Sequence, residues 1–134
     1  MKTIKDNPGR TVKFQEIDNT AAAHNAVRYC EENYPETCAE FKKILQEQYE
    51  MFCKKQKNYG PGNISVGTEV RTDSDVKLSL TGLWFRLNDK IQRLKQLIVL
   101  GHKDTVGESE KDTFQDLSVY GIIAQLVSTK VWGK

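Results

Sequence analysis

Apolar residues recur at intervals of three and four along most of the chain, and this period predicts amphipathic helices. Proline and glycine interrupt the pattern at the Tyr34–Pro35 step, at "NYGPGN" and at "GHKDTVG". Asn19 or Thr20 stands where a cap is expected for the first helix, and Ser109 stands at the start of the last. The pattern therefore predicts four helices, over residues 19–33, 36–58, 81–100 and 109–127.

Two segments depart from this period. Residues 1–18 include "RTVKFQEI", whose alternation predicts a short strand or an extended arm. Residues 60–79 form a long polar connection, which predicts a loop, a lid or a small hairpin. We therefore expect one all-α domain, in which residues 19–134 form a four-to-five-helix bundle behind a short extended or β N-terminal arm.

The fourth predicted helix carries acids in unusual surroundings. Its apolar residues cover nearly the whole circumference, which predicts a place in the middle of an assembly. Glu108, Asp112 and Asp116 lie on one stripe of this helix, four residues apart. Like charges at that spacing repel, and burial makes ionisation more costly. A divalent cation would remove both penalties, so the stripe predicts a Mg²⁺ site, with Mn²⁺ as an alternative.

Two of these acids also have explanations that need no metal. Ser109 and Asp112 fit an S-x-x-D capping box, and acids in a first turn suit the helix dipole. Asp116 lies beyond that turn, where a salt bridge to a basic residue of another helix is the alternative. The sequence leaves both interpretations open.

The third predicted helix carries cations beside its leucine face. Arg86, Lys90 and Arg93 lie on this flank together with Asp89. A solvated helix face has the same pattern, with Asp89 and Arg93 as an i,i+4 ion pair. Beside a carboxylate–metal cluster, the same cations would bind a polyphosphate.

Composition excludes several classes of function. The net charge of +2 over 134 residues is too small to indicate nucleic-acid binding by bulk electrostatics. No apolar run approaches the roughly 20 residues of a membrane span, and no signal peptide opens the chain. The three cysteines lack the spacing of a metal site, which predicts reduced thiols in a cytoplasm. The sequence also lacks GxxxxGK[ST], GxSxG and GxGxxG.

Three stretches taken together resemble the nucleotide-modification-associated domain 1 family of phages and bacteria, within the wider MazG-like all-α nucleoside triphosphate pyrophosphohydrolases. They are "KNYGPGN", "GLWFRLNDKIQRLKQL" and "ESEKDTFQDLSVYGIIA", and the resemblance covers residues 40–127. It implies a dimeric or tetrameric helical bundle that uses Mg²⁺ to bind nucleotides. It further implies metal ligands from two helices, Glu47 and Glu50 on one and acids among Glu108, Asp112 and Asp116 on the other. The E-x-x-x-D-x-x-x-D spacing here departs from the E-x-x-D of that group.

The leading interpretation is a Mg²⁺-dependent (deoxy)nucleoside triphosphate pyrophosphohydrolase, or a derived homologue, linked to phage nucleotide metabolism or base modification. A metal-activated water would attack the phosphate chain. The alternative is a non-catalytic nucleotide-binding or nucleotide-sequestering module, and a purely structural bundle is a third reading. The predicted catalytic residues are Glu108, Asp112 and Asp116; the metal ligands are Glu47, Glu50, Asp112 and Asp116; the nucleotide-binding residues are Arg86, Asp89, Lys90, Arg93, Tyr59 and Asn63. Tyr59 and Asn63 would shape a base or ribose pocket, or serve only to end a helix.

The apolar surface exceeds what one small core can bury. Tyr120 and Val127 on the fourth helix, with Trp84 and Val99 on the third, have no place in a single core. Such a patch marks association, and a two-fold dimer uses one patch twice. We therefore expect at least a homodimer in the bacterial or phage-infected cytoplasm, with the third and fourth helices near the interface. No membrane or direct nucleic-acid partner is expected.

Overall fold

A computed structural model describes the backbone of residues 8–134 and the side chains of residues 20–134. Within these residues the fold is helical and contains no strand, which confirms the predicted all-α class. A π-helical turn, Lys95–Val99, directly follows the fourth α-helix. The five α-helices of the described residues are α1 (Pro8–Asn33), α2 (Pro35–Tyr59), α3 (Gly62–Ser65), α4 (Asp73–Leu94) and α5 (Glu110–Ser128).

The first helix begins at Pro8, so the predicted strand or extended arm is wrong for residues 8–18, and residues 1–7 lie outside the described residues. A lone extended segment leaves its N–H and C=O groups without partners, whereas a helix pairs them within itself. The described residues provide no strand with which "RTVKFQEI" could pair. Proline suits a first helical turn because its φ is preset and its missing N–H is not needed there.

The chain divides into two compact units, the first ending at Gln46 and the second formed by Glu47–Lys134. In the first unit, α1 gives way to α2 at the Tyr34–Pro35 step, as the sequence predicts. The Lys42 ammonium donates to the Glu31 carboxylate across these two helices at 2.8 Å. This pair is exposed, so it adds little to the stability of the unit.

The segment 60–79 is not a long loop or hairpin, and here the prediction is wrong. It contains the short helix α3 and the first turns of α4, which begins at Asp73 rather than at Thr81. A reciprocal capping box causes the early start. The Thr72 hydroxyl accepts from the Asp75 N–H at 3.1 Å, and the Asp75 carboxylate accepts from the Thr72 N–H at 3.2 Å. Both bonds satisfy donors that a helix start leaves free.

The core of the second unit is small and is formed by α3, α4, α5 and the residues around them. The Trp132 indole N–H donates to the Pro61 carbonyl at 3.0 Å, which fixes the segment after α5 to the entrance of α3. Because so few side chains are fully buried, polar contacts between α4 and α5 matter more here than in a larger core. The buried apolar side chains are Ile64, Val70, Leu83, Ile123, Val127 and Trp132.

The helix α5 buries one face rather than its whole circumference. Thr113, Ile123 and Val127 are buried, whereas Phe114 and Ile122 are 51% and 43% exposed. The single chain therefore covers only one side of α5, the side packed on α4, and the predicted place of this helix in the middle of an assembly stays a prediction. Neither α5 nor any other helix in the described part of the chain is long and apolar enough to span a membrane.

The capping box gives a direct test of why α4 begins where it does. Replacing Thr72 with alanine removes the side-chain acceptor, and we expect a loss of about 1 kcal/mol in the free energy of unfolding. Urea denaturation followed by circular dichroism measures the loss. Thr81→Ala, inside the same helix, is the matched control and should change stability by only a few tenths of a kcal/mol. Equal effects of the two substitutions would contradict the assignment of the cap.

Candidate functional site

Lys90 lies between two of the predicted acids. Its Nζ is 2.9 Å from Glu108 Oε1 and 2.9 Å from Asp116 Oδ2. The side chains of Lys90, Glu108 and Asp116 are only 21%, 34% and 23% exposed. We call these three residues the Lys90 cluster. It confirms the interpretation of Asp116 as the partner of a basic residue on another helix, since Lys90 belongs to α4 and Asp116 to α5.

The hydrogen bonds of the cluster join charged groups that are partly shielded from water. Hydrogen bonds between charged groups are stronger there than at an open surface. The hydrogen bonds to Asp116 and Glu108 hold the pKa of the Lys90 ammonium well above its usual value. Lys90 therefore stays charged throughout the physiological pH range. Lys55 of α2 lies 3.7 Å from the other oxygen of Asp116, but its side chain is 55% exposed, so this second pair is weaker.

Arg93 forms hydrogen bonds with the segment that connects α4 to α5 and with the first turn of α5. Its Nε lies 3.1 Å from the Thr113 hydroxyl, and its Nη2 donates to the Asp104 carboxylate at 3.2 Å and to the Glu108 carbonyl. A hydrogen bond from the Val106 N–H, helped by Arg93, holds the pKa of the Asp104 carboxyl below its usual range. Most donors of the guanidinium are thus used to position the segment that carries Glu108.

A cavity of about 240 Å³ adjoins the Lys90 cluster, because Asp116 belongs to both. Three more residues predicted to bind nucleotide, Tyr59, Asn63 and Arg86, line the same cavity. Its walls therefore combine flat apolar surfaces with amide and charged groups, as small-molecule sites do. The aromatic and aliphatic lining includes Phe52, Ile64, Val119, Tyr120, Ile123 and Trp132.

Arg86 is held in place without losing its charge. Its Nη2 donates to the Asn63 carbonyl at 2.8 Å, and its guanidinium carbon lies 6.0 Å from the centre of the Tyr120 ring. The backbone carbonyl is neutral and the ring contact is a cation–π interaction, so neither cancels the positive charge. In this respect Arg86 differs from Lys90 and Arg93, whose charges are matched by carboxylates.

Gln48 is a site residue that the sequence analysis missed. It is only 7% exposed, it lines the cavity, and its Oε1 accepts from the Ser118 hydroxyl at 2.8 Å. The signal was present, because Gln48 falls between Leu45 and Phe52 at the three- and four-residue spacing of the apolar stripe. A glutamine in such a stripe requires polar partners in the folded protein.

The remaining predicted residues lie elsewhere. Asp112 is exposed in the first turn of α5, where its N–H donates to the Ser109 hydroxyl at 3.1 Å, which confirms the cap at Ser109. Asp89 is exposed, and Arg93 pairs with Asp104 and Glu108 rather than with it. Glu47 and Glu50 lie on α2 and are not among the residues that line the cavity.

The described residues contain no group of three or more histidine, cysteine, aspartate or glutamate side chains placed to hold a metal ion. The structure therefore does not gather Glu47, Glu50, Asp112 and Asp116 into one set within the described chain. It does bring Glu108 and Asp116 together, because Glu108 Oε1 and Asp116 Oδ2 each lie 2.9 Å from the same Lys90 Nζ. Searches against protein-family models, curated proteins and solved structures find no match to this chain.

The contribution of the Lys90 cluster can be measured by a double-mutant cycle. Lys90→Met leaves Glu108 and Asp116 close together without their shared cation, and we expect it to lower the free energy of unfolding by about 1–3 kcal/mol. Adding Asp116→Asn removes one of the two charges, so the double variant should lose less than the sum of the single losses. Urea denaturation at pH 7 measures all four proteins.

Lys111→Met is the matched control, because Lys111 is exposed near the start of α5 and takes no part in the cluster. Its free energy of unfolding should stay within about 0.5 kcal/mol of that of the unaltered protein. Strictly additive losses for Lys90→Met and Asp116→Asn would show that the cluster does not couple α4 to α5.

Proposed function

We propose that the protein binds a (deoxy)nucleoside triphosphate, with the base in the cavity and the phosphates at its charged side. The observation that carries this proposal is the meeting of Tyr59, Asn63, Arg86 and Asp116 around one aromatic-lined cavity. Those residues come from α2, the α3 segment, α4 and α5, which are far apart in sequence.

The size of the cavity favours a base rather than a whole nucleotide. A protein cavity of about 150 Å³ is enough to hold benzene, so about 240 Å³ admits one heteroaromatic ring with its substituents. A triphosphate chain does not fit in the remaining space and must lie outside. Tyr120 and Trp132 offer aromatic surface to a ring, and base–aromatic contacts of this kind contribute about 1–3 kcal/mol each.

Two cations that line the cavity, Arg86 and Lys55, would bind the phosphates of the nucleotide. Arg86 keeps its charge, and its planar guanidinium matches phosphate oxygens. Lys55 is exposed and only loosely paired with Asp116, so it can turn towards a phosphate at little cost. Lys90 and Arg93 are predicted from the sequence to bind phosphate. In the structure Lys90 instead pairs with Glu108 and Asp116, and Arg93 binds the segment before α5.

Pyrophosphohydrolase activity is the second candidate, favoured by the closeness of Glu108 and Asp116. A pair of carboxylates would suit Mg²⁺, which often takes one or two protein carboxylates and completes its shell with phosphates and water. A bound Mg²⁺ would polarise the phosphate chain and lower the pKa of a water molecule. Lys90 would then have to leave its position between the acids, and Arg86 would stabilise charge on the phosphates.

The binding proposal is tested with a panel of the four common dNTPs and dUTP. We expect saturable binding by isothermal titration calorimetry, and a loss of at least tenfold in affinity for Arg86→Met, because a charge-assisted bond to phosphate is removed. Arg28→Met, an exposed arginine of the first unit, is the control. The same mixtures with Mg²⁺, assayed for monophosphate and pyrophosphate, decide between binding and hydrolysis. Absence of binding for every nucleotide would refute the proposal.

We further propose that the protein forms a homodimer through α4 and the π-helical turn after it. Trp84, Ile91 and Ile98 are 59%, 53% and 51% exposed, and they follow one another at intervals of seven residues. Seven residues are about two turns of an α-helix, so Trp84 and Ile91 lie on one face of α4, and exposed Ile98 follows in the π-helical turn; we call these three side chains the apolar stripe. The three cysteines are free, which agrees with the proposed cytoplasmic location.

The dimer proposal predicts that Ile91→Glu dissociates the protein, because it places a charge in the middle of the stripe. Light scattering coupled to size-exclusion chromatography at micromolar concentration should give a dimer for the unaltered protein and a monomer for the variant. Val106→Glu, at a residue that is 75% exposed outside the stripe, should leave the dimer intact. A monodisperse 15.3 kDa species for the unaltered protein would contradict the proposal.

A further inference from the structure

The Lys90 ammonium lies where a cation shared by Glu108 and Asp116 has to lie. Its Nζ is 2.9 Å from Glu108 Oε1 and 2.9 Å from Asp116 Oδ2, so it contacts one oxygen of each carboxylate. A Mg²⁺ ion held by the same two oxygens would be about 2.1 Å from each, and therefore no more than about 5 Å from the ammonium. Two cations that close repel each other strongly. The two acids can therefore share the ammonium or a divalent ion, but not both.

Two further cations approach the acids from other sides. Arg93 Nε lies 3.7 Å from Glu108 Oε2, and Lys55 Nζ lies 3.7 Å from Asp116 Oδ1. Each of these contacts involves one of the two acids, and the oxygen that Lys90 does not contact. Lys90 is therefore the cation that offsets the repulsion between the two carboxylates.

A free ion would gain little by displacing this ammonium. The described residues add no third histidine, cysteine, aspartate or glutamate to the pair, so the ion would keep most of its water. It would also have to break two charge-assisted hydrogen bonds, which are stronger than neutral ones. The same bonds hold the pKa of the Lys90 ammonium well above its usual value, so loss of a proton does not clear the position either.

We propose that Lys90 takes the place of a divalent cation between Glu108 and Asp116, and so keeps free Mg²⁺ and Mn²⁺ from this pair. Lys90 does not line the cavity, so a base can bind there without any exchange of cations. The proposal bears on the second candidate function, because hydrolysis through these two acids requires Lys90 to leave them. It concerns the protein without nucleotide, and its test contains none.

The test is a titration of the purified full chain with Mn²⁺. The electron paramagnetic resonance signal of free Mn²⁺ is lost on binding, so the signal measures the bound fraction, and Mg²⁺ is then added as a competitor. We expect Lys90→Met to bind Mn²⁺ at least tenfold more tightly than the unaltered protein does, because the ion no longer has to break charge-assisted hydrogen bonds. Adding Asp116→Asn to Lys90→Met should remove this gain.

A matched control and a second readout accompany the titration. Lys111→Met removes an exposed lysine outside the Lys90 cluster, and its affinity for Mn²⁺ should equal that of the unaltered protein. A ligand that binds only the folded state stabilises it. Saturating Mn²⁺ should therefore raise the urea midpoint of Lys90→Met and leave that of the unaltered protein unchanged. Circular dichroism verifies that Lys90→Met is folded. Lys90→Gln, which is also neutral, replaces it in both measurements if it is not.

Each outcome decides the matter. A tenfold gain in Lys90→Met that Asp116→Asn removes supports the inference. Equal affinities of the unaltered protein and Lys90→Met for Mn²⁺ would overturn it, because the ammonium then does not compete with the ion. Absence of binding in both proteins would overturn it too, because the two acids then hold no divalent ion even without Lys90. A gain that survives Asp116→Asn has the same meaning, since the ion then binds elsewhere. The proposed nucleotide binding is unaffected by all four results.

Discussion

The contact of one ammonium with two carboxylates joins α4 to α5 and to the segment before α5 in the second unit. Lys90 of α4 holds Asp116 of α5 and Glu108 before it, each at 2.9 Å. The apolar core is small, so this charged contact adds to the burial of apolar side chains in holding the two helices together. Arg93 extends the same contact along α4 by binding the segment that ends at Glu108.

The position of the cavity depends on how α4 and α5 are aligned. Asp116 is shared with the Lys90 cluster, and the same face of α5 carries Val119, Tyr120 and Ile123 to the lining. Arg86 lies one helical turn before Lys90 on α4, and the Asn63 carbonyl holds its guanidinium near the Tyr120 ring. The cations paired with carboxylates, Lys90 and Arg93, and the cation that lines the cavity, Arg86, are thus different residues of one helix.

Local signals in the sequence predicted much of this arrangement, and non-local contacts account for the rest. The Tyr34–Pro35 break and the Ser109 cap are set by neighbouring residues, so both were predictable. The prediction of a strand or extended arm is wrong for residues 8–18, which lie inside α1, because alternation over a few residues does not supply a partner strand. The early start of α4 was missed although Thr72 and Asp75 give its signature. The pairing of Lys90 depends on helix packing, which helical period alone does not give.

The central claim is that the cavity between Gln48, Arg86 and Tyr120 is where a nucleotide binds. Backbone and indole N–H resonances in ¹H–¹⁵N NMR spectra, followed during titration with the α,β-imido analogue of dUTP, test it most directly. The account predicts saturable shifts centred on the cavity, including the Trp132 indole N–H, with small shifts in the first unit. Shifts confined to surfaces away from the cavity, or none at saturating nucleotide, would contradict it.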